Sequence, residues 1–193
     1  PYIEATPRLL RPINMAEGTP GAGSVCVTNE AGARLVVINA ITNLFMADYD
    51  PVFPAINGAL VRNRLGRDAD FILIDLHGEA TSEKMAVGHY ADSRASLVVG
   101  THTHVPTADH QILPGGTAYQ TDAGMCGDYD SVIGMNKEAA TARFTGHDGP
   151  RLSVALGEVT VCGLLVESDE AGHAVSVEPL RRGGRLGAAT PGA

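Results

Sequence analysis

Tryptophan is absent from these 193 residues, and aromatic residues of every kind make up only 5%. Any core must be built from Val, Leu, Ile and Ala, side chains that suit close-packed layers of strands and helices. No apolar run approaches the length of a membrane-spanning helix, and no signal-peptide pattern opens the chain. Cysteine is scarce: Cys26, Cys126 and Cys162 are widely spaced, odd in number and never in a C-x-x-C pair. That excludes a disulfide framework and points to reduced thiols in a cytoplasm. Basic charge is the minority, 14 Lys and Arg against 22 Asp and Glu, for a net charge of −8. This balance argues against a membrane surface or a stable nucleic-acid complex as partner. It leaves room for a small phosphate ligand whose charge a cation neutralises locally.

What is present suits a folded domain. Hydrophobic residues reach 44% and mean hydropathy is +0.03, too apolar for general disorder, and the length allows one real core. Residues 12–24, PINMAEGTPGAGS, read as an ordered loop. Residues 34–46 read as a strand with an extended exit. Residues 48–66 read as a turn and a helix, with Pro51 and Pro54 at its start and Gly66 at its end. The apolar run DFILIDLHG, 70–78, has the pattern of a strand buried on both faces. Residues 81–94 read as a helix with Ser82 as N-cap and Met85, Val87 and Tyr90 toward the core. SLVVG, 96–100, is the next buried strand. Residues 109–122 read as a hairpin turning at Pro114-Gly115-Gly116, and 136–146 as a helix closed by Gly146. Residues 151–182 read as an antiparallel meander with turns near Gly157 and at Asp169–Gly172. The expected fold is α/β followed by antiparallel β: one layered, mixed-sheet domain over residues 1–182, then a disordered tail over 183–193.

The strands at 70–77 and 96–102 flank one helix, so they are expected to run parallel and to end on the same edge of a sheet. Ligands of open α/β sheets bind at that carboxyl edge. His77 ends the first strand. His102 and His104, in GTHTHV, follow the second, and a chain extended through Thr103 would turn both rings the same way. His77, His102 and His104 therefore make a candidate metal site. Asp75 shares the His77 face and is expected to hold a local hydrogen bond. Glu79 and Glu83 are expected as ordinary charges at a helix start, and Asp122 is a further weak candidate. His89, His110, His147 and His173 are expected in solvent. Cys126, in DAGMCGDYD, has no evident base beside it, which favours a plain thiol over a nucleophile. The glycines of GTPGAG are expected to make a turn rather than a phosphate cradle. No catalytic acid or base is identified in the chain.

The segments DLHGEATSEK and GTHTHVPTADHQILPGGTAYQTDAGMCGDYDSVIGM, then NKEAATARF and the meander, carry a resemblance. Over most of residues 12–180 the chain resembles the YmdB-like branch of the calcineurin-type metallophosphoesterases. The resemblance implies an α/β/β/α sandwich with a two-metal site at strand ends. It implies hydrolysis of phosphodiesters, cyclic nucleotides among them, by a metal-activated water, with His77, His102 and His104 as ligands. Mixed nitrogen and oxygen ligation suits Fe, Mn or Zn. The partner is then a small phosphodiester or nucleotide, and a homo-oligomer falls within the expectation. The family's Asp in a G-D-x-x-G turn, its N-x-E-N pair and its G-N-H pair do not occur in this sequence. Pro1 stands where a Met would open a chain, and the expectation is that a preceding segment carries those motifs. Two rival readings stay open: a single-zinc hydrolase on the same three histidines, and a non-catalytic scaffold or oligomerisation module.

Overall fold

The computed structural model describes residues 2–192. Alternation along FILIDLH sets its central strand. In β3 (Phe71–His77), Ile72, Ile74 and Leu76 are fully buried on one face, while Phe71, Leu73, Asp75 and His77 are partly covered on the other. β2 (Arg34–Ile41) and β4 (Leu97–Thr101) flank it in parallel, joined through the crossover helices α1 (Val52–Arg62) and α2 (Thr81–Ala91). β1 (Ser24–Thr28) adds antiparallel to β2. β6 (Ala118–Gln120) adds parallel to β4, and β5 (Gln111–Ile112) closes the sheet antiparallel to β6. The strand order is β1-β2-β3-β4-β6-β5. A smaller antiparallel sheet holds β7 (Gly127–Asp128), β8 (Val159–Ser168) and β9 (Ala174–Arg182), with α3 (Lys137–Thr145) between β7 and β8 in the chain.

Two apolar layers hold this together. Val36, Ile38, Ile72, Ile74, Leu76 and Val98 pack under Val52, Ile56 and Leu60 of α1 and Val87 and Ala91 of α2. Each fully buried side chain of this kind contributes about 1.5–3 kcal/mol. On the opposite face Leu97 and Ala118, with Phe71, Leu73 and Val99, meet Ala174, Val166 and Val177 of the small sheet. This is the layered α/β architecture with mixed sheets that the patterning predicts. The outer face of the small sheet stays open at Val159, Val161 and Leu165, each about half exposed. No helix among the described residues is long and apolar enough to cross a membrane.

Several local expectations need correction. β1 lies where no strand is predicted. α1 ends at Arg62, where Asn63 turns its backbone N–H and its side-chain amide onto the Ala59 carbonyl. Gly66 lies beyond, in a turn with φ +73°. α2 starts after Ala80 without a side-chain cap, so Ser82 is inside its first turn. Its buried face is Lys84, Val87, Gly88 and Ala91, whereas Met85 and Tyr90 are partly in solvent. In α3 Gly146 closes the helix as predicted, at φ +69°, while Asn136, read as helical, is its N-cap and accepts from Ala139 N at 2.9 Å. Residues 151–158 form no strand and pair only through a single bridge, Val154 to Met135. The Asp169–Gly172 turn forms, with Gly172 N donating to Asp169 O at 3.0 Å. Near the end of β9, Arg181 exchanges backbone hydrogen bonds with Ala189, and beyond it Arg185 reaches Asp130 at 2.8 Å.

A bidentate pair ties the amino ends of β2 and β3. Arg34 Nη2 and Nε lie 2.7 and 3.2 Å from the two Asp70 oxygens, and Arg34 N donates to the same carboxylate at 2.7 Å. The Arg34 side chain and backbone hydrogen bonds hold the Asp70 carboxyl down from 3.8 to about 2. A depressed folded value means stability that is present above the ordinary value and lost as pH falls toward the folded one. NMR titration should find Asp70 half-protonated near pH 2, and in Asp70→Asn the stability lost between about pH 4 and 2 should shrink. A titration midpoint near 4 would contradict this.

Candidate functional site

Parallel pairing places Ile41, His77 and Thr101 side by side across three strand ends. Two glycines make this edge tight. A Cβ on Gly78 would fall 1.9 Å from Thr42 Oγ1, and one on Gly100 would fall 1.7 Å from the Thr121 carbonyl oxygen. Neither position can carry a side chain without moving its neighbour.

A chain of hydrogen bonds crosses this edge through two imidazoles. His77 Nδ1 lies 3.2 Å from Thr101 Oγ1, and His77 Nε2 lies 2.9 Å from His102 Nδ1. His102 Nε2 lies 3.1 Å from Glu79 Oε2. The rings meet edge to face at 88°, with centroids 4.7 Å apart. One assignment of protons satisfies every link with both rings neutral. The Thr101 hydroxyl donates to His77 Nδ1, His77 Nε2–H to His102 Nδ1, and His102 Nε2–H to the Glu79 carboxylate. Burial, with help from His102 and Lys84 and against the pull of Asp75, lowers the His77 pKa below the ordinary histidine value. That favours the neutral ring, whose Nδ1 lone pair is taken up here by the Thr101 hydroxyl.

The second strand does not stay extended through Thr103. β4 ends at Thr101, and His102 and His104 take φ of +119° and +67°. Residues with a Cβ rarely adopt such values, at a cost of about 1–3 kcal/mol each. His104 consequently turns toward another loop, where its Nδ1–H donates to the Ile133 carbonyl at 2.7 Å. A carbonyl only accepts, so His104 Nε2 keeps the lone pair. This is the tautomer of a metal-ligating imidazole whose other nitrogen is tied to backbone. Among the described residues no group of three or more His, Cys, Asp and Glu is close enough together to hold a metal ion. The structure thus brings His77, His102 and Glu79 together, and places His104 beside Val105, Met125, Tyr129 and Ile133. Imidazole nitrogens and a carboxylate are donor types that suit a borderline cation, but in this arrangement those of His77, His102 and Glu79 are bonded to one another.

A buried ion pair holds the strained turn. The side chains of Lys84 and Asp122 are 0% and 1% exposed, with Nζ 3.4 Å from Oδ2. Lys84 Nζ also donates to Thr101 O at 3.3 Å. Asp122 Oδ2 accepts from Thr103 N and Oδ1 from Gly124 N, each at 2.9 Å. The backbone on both sides of His102 is fastened to this pair. Asp122 is therefore an anchor rather than an open ligand. Glu79 does more than charge a helix start, since it reaches His102. Glu83 accepts from Asn43 N and Leu44 N at 3.0 and 2.7 Å and tethers the loop after β2. Asp75 has its local bond, from Asn39 Nδ2 at 2.8 Å. Sequence reasoning misses Lys84 because lysine is normally solvated. The signal was there: Lys84, Val87, Gly88 and Ala91 follow the i, i+3, i+4, i+7 spacing of a buried helix face.

The remaining candidates stand apart. His89, His110 and His147 are exposed as expected, but His173 is half-buried beside Gly116. Cys126 Sγ reaches only the Cys162 carbonyl, at 3.5 Å, with no base beside it. In GTPGAG, Gly23 backs onto Ile13 and its carbonyl accepts from Asn39 N, which makes it a packing turn.

The sequence pattern of the family described as YmdB-like protein matches residues 1–180. A 2′,3′-cyclic-nucleotide 2′-phosphodiesterase from Bacillus subtilis is 43% identical over 178 residues, covering 92% of this chain. The chain spans just under two thirds of that relative, 66% of its length. A hypothetical protein from Thermus thermophilus, of known crystal structure, superposes with a TM-score of 0.82 at 39% identity, covering 95% of this chain and 71% of that one. A phosphatase from Mycoplasma pneumoniae does so with a TM-score of 0.82 at 30% identity, covering 94% and 66%.

Removing one partner of a buried pair leaves an uncompensated charge and costs about 3–5 kcal/mol. Lys84→Met should lose that much in urea unfolding, and Lys84→Met combined with Asp122→Asn should recover part of it. A single variant as stable as the parent would show that the pair is not what holds this edge.

Proposed function

We propose, because the chain belongs to the YmdB-like protein family, that the whole protein hydrolyses small phosphodiesters, 2′,3′-cyclic nucleotides in particular. The reaction is cation-dependent and runs at the carboxyl edge of the six-stranded sheet. The observation that carries this reading is the imidazole pair, His77 to His102 at 2.9 Å, backed by Glu79 at the strand ends. His77, His102 and His104 would hold the cations, two ions of Fe, Mn or Zn per chain. When bound, such ions supply an activated water and neutralise phosphoryl oxygens. The chain's own residues set the stage. Glu79 orients the His102 ring, the Ile133 carbonyl fixes the His104 tautomer, and Lys84 with Asp122 holds the turn between them. Three free cysteines suit a reducing cytoplasm, where we place the protein. Exposed Ile133, Phe144, Val154 and Leu156 suit a homo-oligomer.

The test is hydrolysis of 2′,3′-cyclic AMP by the full protein loaded with Mn, Fe or Zn. Chelation should abolish it. His77→Ala, His102→Ala and His104→Ala should each lower kcat by at least about a hundredfold and lose metal. Glu79→Gln should weaken metal affinity by roughly 10–100-fold, while exposed His110→Ala stays within about a few-fold of the parent. Elemental analysis should return about two ions per chain; one would favour the single-zinc reading. No turnover with any of the three metals would overturn the proposal.

A further inference from the structure

The geometry points to Phe45 as the platform on which the base of a nucleotide ligand stacks. This rests on the phosphodiesterase reading and adds to it the group that recognises an aromatic base. Tyr2, Phe45 and Phe144 are the strongly exposed aromatic residues among those described, at 75%, 79% and 83%. Tyr2 lies at the start of the chain and Phe144 on α3. Phe45 lies on the loop that leaves the carboxyl end of β2. It follows Ile41, the register partner of His77, by four residues, and between them Thr42 N donates to the His77 carbonyl at 2.9 Å.

Two features set Phe45 apart from a stray surface side chain. Its φ is +63°, in the left-handed region, where a bulky residue with a Cβ is an outlier. Such conformations persist where the surroundings over-determine them, and they cluster at ligand sites. Here the surroundings do so. Glu83 accepts from Asn43 N and Leu44 N. Asn43 Nδ2 donates to Tyr49 O at 2.9 Å, and Asn43 Oδ1 accepts from Val52 N at 3.1 Å. Buried Asn14 donates to Ile41 O and Asp50 O, each at 2.8 Å. The loop is thus pinned at both ends, and the ring is held in water instead of being folded inward. The carboxylate that pins it, Glu83, lies four residues after the one that meets His102, so the ring and the imidazole pair are tied to one segment. Nucleobases stack on aromatic faces with little regard to sequence, because every base has a π-face. The ligand class is therefore a nucleoside phosphodiester or its nucleotide product. A base-free phosphodiester would lack this contact.

The absence of Trp makes the test direct, because Phe45→Trp installs a single indole fluorophore. In the full, metal-loaded protein its emission should be quenched saturably by adenosine 3′-monophosphate and not by inorganic phosphate. Phe144→Trp should stay silent. With 2′,3′-cyclic AMP as substrate, Phe45→Ala should raise KM by about tenfold or more with kcat within about threefold, and Phe45→Tyr should restore KM. KM for a base-free five-membered cyclic phosphate should not change. A silent Phe45→Trp, an unchanged KM in Phe45→Ala, or an equal loss on the base-free substrate would overturn the assignment. The two readings fail separately. Quenching without turnover by the parent protein would sink the phosphodiesterase reading and leave the base platform standing; turnover with silent indole would do the reverse.

Discussion

The carboxyl edge of the large sheet depends on one lysine kept out of water. Burying an ammonium costs several kcal/mol unless its protons find acceptors. Lys84 finds Asp122 and the Thr101 carbonyl. Asp122 in turn offers its other lone pairs to Thr103 N and Gly124 N. Charge compensation and backbone shape are therefore the same set of contacts. The turn that carries His102 toward His77 rests on the same contacts. The positive φ of His102 is tolerable only because that set is already paired and dry.

One short segment, HGEATSEK, reaches both neighbouring strand ends. Glu79 meets His102 after β4, Glu83 takes up the backbone after β2, and Lys84 passes inward under the end of β4. The division of labour follows from helical geometry. Glu79 precedes the helix and is free to lean over the edge. Glu83 and Lys84 are consecutive in the first turn, so their side chains leave in directions about 100° apart, one toward a loop and one toward the core. A single helix start thus coordinates groups that the chain supplies at widely separated positions.

The central strands were legible because their apolar runs are flanked by helices of crossover length, which leaves parallel pairing as the natural arrangement. That arrangement alone brings the end of β3 beside the end of β4. β1 was harder to see, since SVCVT is short, half-exposed and follows a loop rich in glycine. Met85 and Tyr90 read as core because they are apolar, but the buried stripe of α2 runs through Lys84, Val87, Gly88 and Ala91. The turn after β4 was not legible at all. Extended backbone is the default for a chain leaving a strand, and what bends it is a carboxylate 19 residues further on. The partner of His104 lies 29 residues away, at the Ile133 carbonyl. Local periodicity carries no record of contacts at that range.

The close approach at Gly78 and Gly100 has a bearing on how such a protein can diversify. At both positions even a methyl group would collide with a neighbour, so the two strand ends that present His77 and His102 cannot be rebuilt by single substitutions. Descendants wanting a different ligand must leave this rim as it stands and alter the loops around it. Chemistry at the rim is inherited almost whole, and novelty enters from the periphery.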